Sequence, residues 1–343
     1  MPAPTAPPVI VRATPTLDCL DFSGKTVYND FRDDLIRDGY AVVKGAVPTE
    51  KANEIVDEMQ TWLEDFNLGY KRDDPSTIRE ECLPVMNAKG LMQAYGASHE
   101  TFTWKVRSEP GVIGAFEKLY GTEDLIVSFD AVNITFPGRK DIGENTAWAH
   151  QDQDPERPGF RCVQGFVSLT DSGDEDGGLM ILKGGHLVSE EFHKKFGSDP
   201  EPLFRWTNEM YMFKEEGLNW LKERGYEWVK VNAKAGDLVL WDSRGPHYNV
   251  SPQGSSPRFV VYTCYCPVSI ATQEELLLKK KLFENTDGHS HWPMALQPFI
   301  KEFVKPMRNG QPDPLNKWAP RNPPQLSERV FKLTGIPYIK SSA

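Results

Sequence analysis

The sequence has 343 residues, 39% hydrophobic and 11% aromatic, enough to fill a sizeable core and incompatible with disorder over most of the chain. Mean hydropathy is −0.50, and no run approaches the roughly eighteen apolar residues of a membrane span, so a soluble globular protein is expected. Forty-nine acidic against 39 basic residues leave a formal charge of −10, so neither nucleic acid nor an anionic membrane is an expected partner.

Residues 1–24 read as a Pro-punctuated extended arm without the apolar core of a secretory signal. Val27, Phe31, Leu35 and Ile36 then recur at helical spacing, which predicts a helix over 27–38 that Gly39 stops. Residues 40–43 read as a short strand. A helix over 49–66 follows, with Ile55, Met59, Trp62 and Leu63 on one side, and Pro110 opens another that Gly121 closes. From there the period changes to that of strands, at 125–136, 146–152, 161–170, 179–182, 228–231, 237–241 and 258–266, separated by Gly and Pro turns. One helix over 215–224 interrupts them. Thr272-Gln-Glu-Glu275 is a capping box that starts a helix to about 284, and the basic run Lys279-Lys280-Lys281 reads as its solvated face. Residues 287–325 look irregular, and 326–333 predict a last short helix.

Short strands without βαβ alternation, and without a GxGxxG loop, argue against a dinucleotide-binding fold. They predict a mainly β, α+β chain: a jelly-roll barrel with flanking helices. One domain is expected over 25–286, with a helical part at 25–122 and the barrel at 123–268. Residues 287–343 would form an irregular extension packed on it, and a homodimer through that extension is conceivable. The five cysteines (19, 82, 162, 264 and 266) are sparse and match no zinc pattern. Buried thiols in a reducing compartment, hence the cytoplasm, are the expectation.

Two stretches could carry chemistry. In Trp148-Ala-His150-Gln-Asp152, strand alternation puts Trp148, His150 and Asp152 on one face. Alone, one His-x-Asp among seven histidines and 49 acids is unremarkable. In Gly236-Asp-Leu-Val-Leu-Trp-Asp-Ser-Arg-Gly-Pro-His247-Tyr-Asn249, a strand delivers His247 to a Gly-Pro turn. Arg258 heads the next strand on the face of Val260, Tyr262 and Cys264, and it needs an anion, which a structural Asp or Glu could equally supply. Two imidazoles and one carboxylate around one ion would make the facial triad of non-haem Fe(II) oxygenases. Elsewhere His186 reads as structural and His289-Ser-His291 as a solvated loop. Gly177-Gly178 and Gly184-Gly185 read as tight turns.

Taken in order, these pieces resemble the phytanoyl-CoA dioxygenase (PhyH-like) family of Fe(II)/2-oxoglutarate oxygenases, particularly its small-molecule enzymes from filamentous fungi. His247 follows His150 by 97 residues and Arg258 follows His247 by 11. Leu35-Ile-Arg-Asp-Gly-Tyr-Ala-Val-Val-Lys-Gly45 and Asp176-Gly-Gly-Leu-Met-Ile-Leu-Lys-Gly-Gly-His186 match the family's opening helix–strand and its Gly-Gly-Leu strand. The resemblance implies a double-stranded β-helix with Fe(II) on His150, Asp152 and His247. The far carboxylate of 2-oxoglutarate would lie on Arg258, with Asn249 nearby, and O₂ would take an open iron position. Where many relatives carry Lys before Pro-Pro-Gly, this chain reads Asn133-Ile-Thr135-Phe-Pro-Gly138, so Asn133 and Thr135 are candidate cosubstrate contacts. Relatives often carry Gln where Ala147 stands. Asp152, in place of Gly or Ala, argues against a halogenase. Trp148 is a candidate for the substrate pocket. The stretch containing Met86, Met92, Tyr95, Phe102 and Trp104 is expected to form a lid. The expected activity is oxidation of a small molecule such as a free acid, amino acid or secondary metabolite. The alternative is a cupin-type metal enzyme that makes no use of 2-oxoglutarate.

Overall fold

The structure, a computed structural model, describes residues 15–197, 209–294, 299 and 301–340. Its first helix, α1 (Phe31–Asp38), starts later than periodicity predicts, because the Asp30 side chain caps it by accepting from the Arg32 N–H, which leaves Val27 exposed. Gly39, at φ 82°, ends it by donating to the Leu35 carbonyl. A Cβ there would lie 2.6 Å from His186 Nδ1, so the turn into β1 (Tyr40–Val43) needs a glycine for space as well as for conformation. Helix α2 (Thr49–Glu64) buries Ile55, Met59, Trp62 and Leu63, and the Trp62 indole donates to the buried Glu100 carboxylate.

The expected strands at 125–136 and 258–266 each divide, because their halves join different sheets. The first becomes β3 (Leu125–Val127) and β4 (Val132–Thr135); the second becomes β12 (Arg258–Tyr262) and β13 (Tyr265–Pro267). With β2 (Leu91–Met92), β6 (Val163–Ser168) and β10 (Leu238–Asp242), they build a six-stranded sheet in the order β1-β10-β6-β12-β4-β2, and β13 pairs with β3 apart from it. A second sheet of five strands runs β8-β5-β11-β7-β9. Its members are β5 (His150–Gln151), β7 (Gly178–Leu182), β8 (Tyr211–Met212), β9 (Trp228–Lys230) and β11 (His247–Val250). Every registered pair is antiparallel. Phe166, Val239, Trp241 and Val260 of the first sheet pack against Leu179 and Ile181 of the second. Two facing antiparallel sheets make the double-stranded β-helix.

Helices α3 (Thr101–Arg107) and α4 (Pro110–Tyr120) support the larger sheet, and Gly121 caps α4 as its sequence requires. The capping box at Thr272 forms and opens α7 (Gln273–Glu284). Beyond it the chain folds back on itself. Trp292 and Met294 are buried with Ile126, Cys162, Cys264 and Cys266, and the Val127 N–H donates to the Leu333 carbonyl. All five thiols are free. Among the described residues no helix is long and apolar enough to cross a membrane.

Candidate metal centre and active-site cavity

Strands β5 and β11 are neighbours in the smaller sheet, and their register sets His150 directly opposite His247. Asp152 follows β5, and its N–H donates to the Ser243 carbonyl at 3.0 Å, which turns the chain inward. The Asp152 carboxylate then lies 3.6 Å from His150 Nε2 and 3.4 Å from His247 Nε2. These are spacings of adjacent ligands around one ion about 2 Å from each. The other imidazole nitrogens are committed: His150 Nδ1 donates to the Trp148 carbonyl at 3.0 Å and His247 Nδ1 to the Gly245 carbonyl at 2.9 Å. Each Nε2 therefore carries a lone pair turned toward the carboxylate, as a metal ligand requires. Burial pushes the His150 pKa down, which keeps its imidazole neutral as a metal ligand requires. Gln164 Nε2 donates to Asp152 at 3.0 Å and fixes its orientation.

The triad opens on a cavity of ≈ 230 Å³ whose walls include Arg258, Phe166, Trp241 and Tyr262. Arg258 is 3% exposed and sits over the Phe166 ring at 5.2 Å. Its side chain meets the Tyr262 hydroxyl, but it forms no ion pair among the described residues and its Nη1 has no partner. A buried guanidinium cannot shed its charge, so an unpaired one in a cavity wall marks the place of an anion. Thr135 stands opposite Arg258 across β4 and β12, with its buried Oγ1 unpartnered.

Asn133 and Asn249 both bond to the chain itself. Both amides donate to the Lys89 carbonyl, at 2.7 and 2.9 Å, and Asn249 Oδ1 also accepts from the Trp148 indole at 3.3 Å. Neither Asn133 nor Thr135 belongs to the cavity wall, whereas Asn249 and Trp148 do. Trp148 stacks on His150 with centroids 3.9 Å apart, and Lys89 Nζ covers its ring at 3.2 Å.

Comparison with known proteins adds to this geometry. The family model for phytanoyl-CoA dioxygenase (PhyH) matches residues 35–259, about two thirds of the chain. The chain belongs to this family. Within it, "Ava biosynthesis cluster protein O" of Aspergillus versicolor is 38% identical over 276 residues, covering 80% of this chain and 89% of that one. A putative phytanoyl-CoA dioxygenase of Dictyostelium discoideum is 20% identical, over 75% of this chain and 82% of its own. The ectoine dioxygenase of Streptomyces coelicolor is 23% identical, over 66% and 75%. This PhyH protein is accordingly a non-haem Fe(II)/2-oxoglutarate-dependent oxygenase that acts on a small molecule. The His-Asp-His group and the orphaned Arg258 nitrogen fit the metal and the cosubstrate respectively.

Three expectations are corrected in the PhyH chain. His289-Ser-His291 is no solvated loop. His289 is fully buried, where its Nε2 accepts from the Phe129 N–H and meets Lys279 Nζ, and its Nδ1 donates to the Ser290 carbonyl. Ser290 and His291 thereby reach the active-site cavity. Lys279 itself is buried, so it does not belong to a solvated helix face. Nor do Met86, Met92, Tyr95, Phe102 and Trp104 form a lid: all five are core side chains, at most 7% exposed. That stretch lends the cavity Leu91 and Gln93, while Ser290, His291 and Phe299 line it from the C-terminal segment. Sequence reasoning also passed over Gln164 and Asp130, although each is a polar residue flanked by apolar ones in an expected strand.

Proposed function

We propose that this PhyH oxygenase hydroxylates a small organic molecule of secondary metabolism, with desaturation and cyclisation as variants of the same oxidation. The "biosynthesis cluster" name of the A. versicolor relative supports the metabolic setting. The observation that carries the site assignment is the buried Arg258 guanidinium, without an ion pair among the described residues and with Nη1 unpartnered, in one cavity with the His-Asp-His group. In this reading His150, Asp152 and His247 hold Fe(II), and Arg258 takes the far carboxylate of 2-oxoglutarate with a bidentate fork. Asn133 and Asn249 act through Lys89 and Trp148, holding the wall rather than the cosubstrate. The bound metal, cosubstrate and dioxygen together supply an oxidant able to take hydrogen from carbon, with succinate and CO₂ released. The chain's own part is to orient the ligands through the Trp148 and Gly245 carbonyls and to keep water from the reacting carbon with apolar walls. Five free thiols suit a cytoplasmic location. A homodimer would have to use surface left over by the C-terminal segment after it packs on its own chain.

The test is anaerobic difference spectroscopy of Fe(II)-loaded protein titrated with 2-oxoglutarate. A weak visible charge-transfer band that needs both ligands is expected. Arg258→Ala should weaken 2-oxoglutarate binding by about 100-fold, the scale of two charge-assisted hydrogen bonds. No band in protein that holds iron would sink the assignment and favour the cupin-type alternative.

A further inference from the structure

The metal and cosubstrate of the proposed function account for Asp152 and Arg258, and their charges cancel: two positive on iron and one on Arg258, one negative on Asp152 and two on the cosubstrate. One charged group of the cavity wall is left over. Asp130 lies between β3 and β4 and lines the same cavity. Its carboxylate forms no ion pair among the described residues and accepts from the Ala131 N–H at 2.6 Å. Arg107 lies behind it, but gives its guanidinium to the Ser98 and Asp130 carbonyls, at 2.6 and 2.7 Å, rather than to the carboxylate. A carboxylate kept among Phe166, Trp241 and Phe299 without a partner is costly, and nothing in the cofactor set uses it.

A second observation comes from another element. The half-buried His291 has a hydrogen bond to the Asp152 backbone, and its buried Nε2 has no partner. The neighbouring Ser290 Oγ is likewise unpartnered and buried. The cavity wall therefore carries a carboxylate held by one backbone N–H and no ion pair, beside an imidazole nitrogen and a hydroxyl that the protein leaves unpartnered.

We infer that the substrate side of this cavity selects a basic nitrogen group, a protonated amine or related nitrogen cation, through the Asp130 carboxylate, with His291 and Ser290 as further hydrogen-bond partners. The inference deepens the proposed function and rests on it for where the cosubstrate sits. Arg107 balances the Asp130 charge from behind without touching the carboxylate, whereas a nitrogen cation would meet it directly with several N–H donors at once, and the aromatic wall favours it further. A neutral hydroxyl would supply one donor and no charge. A carboxylic acid substrate would meet Asp130 as a like charge. Burial pushes the Asp130 carboxyl up to about 7 although the Arg107 charge behind it acts in the opposite direction, and a cation in contact with the carboxylate would favour its ionised form.

The experiment uses the anaerobic Fe(II)/2-oxoglutarate holoenzyme and three probes of one shape: phenethylamine, phenethyl alcohol and hydrocinnamate. Binding is read from tryptophan fluorescence, since Trp148 and Trp241 line the cavity. The amine should bind about ten-fold or more tightly than either of the others, the scale of a charge-assisted contact. Asp130→Asn should erase that order while the charge-transfer band stays in place and the protein still melts cooperatively, no lower than wild type. Equal binding of the three, binding of none, or an amine preference that survives in a folded Asp130→Asn protein overturns the inference. A missing band with the amine preference intact would strike the cosubstrate assignment and leave this one standing. A normal band without the preference does the reverse.

Discussion

Asp130 shows how a single side chain can serve a site at the expense of the fold. Its carboxyl has an ordinary value of 3.8 and is raised to about 7 by burial. Between those values the folded chain keeps a proton that the unfolded chain has already released. Stability therefore falls as pH rises from 4 to 7, and the full cost is present above 7. Asp130→Asn keeps the oxygen that accepts from Ala131 and removes the charge. The variant should melt higher than wild type at pH 8 and level with it near pH 4, as thermal denaturation across that range would show. A variant that melts lower at pH 8 would mean that the folded protein holds this carboxylate without cost. Stabilisation by removing a polar group is the pattern of residues kept for binding rather than for folding.

Among the elements, the turn before β2 has the most to hold. The Lys89 carbonyl accepts from Asn133 and Asn249, which stand on strands of different sheets, and the Lys89 ammonium covers Trp148. This one residue ties the larger sheet to the smaller at the edge of the cavity. Gly90 makes the turn possible: its φ is +72°, and a Cβ would lie 2.2 Å from Thr135 Cγ2 and 2.8 Å from the Ile134 carbonyl. Gly90→Ala should cost about 2–4 kcal/mol, the left-handed backbone and the overpacking together. Urea denaturation measures it, and a loss under 1 kcal/mol would show that the turn relaxes freely.

The whole molecule is closed by its C-terminal segment. Trp292, Met294, Val330 and Leu333 are buried, and burying each is worth about 1.5–3 kcal/mol against a total stability of about 5–15. A chain ended after Thr286 should lack a cooperative melting transition, and a sharp transition near that of the full chain would refute this. The barrel was legible in the sequence, and so was the gathering of His150, Asp152, His247 and Arg258 at one cavity, because each sits in a short local pattern at a strand or its end. The sequence could not resolve Ser290 and His291. Their place depends on His289 docking against Phe129 and Lys279, a contact made across 160 residues in the first case. The lid expectation failed for a related reason: apolar residues in a loop-rich stretch look alike whether they cover a site or fill a core. Strand ends were misjudged where a run such as 125–136 changes sheets, since pairing partners are invisible to periodicity.

The shortness of β5 has a consequence for the life of the protein in the cell. Its two residues are held by β11 on one side and β8 on the other, and one of the two, His150, is also a metal ligand in the proposed site. An ion that joins His150 to His247 thus fastens a segment that the sheet itself holds by little. Metal-free protein should be cut by thermolysin first within 137–161, and Mn(II) should slow that cut. Under iron starvation the polypeptide would then be degraded faster as well as left inactive. Restoring iron would not restore activity until new chains had been made.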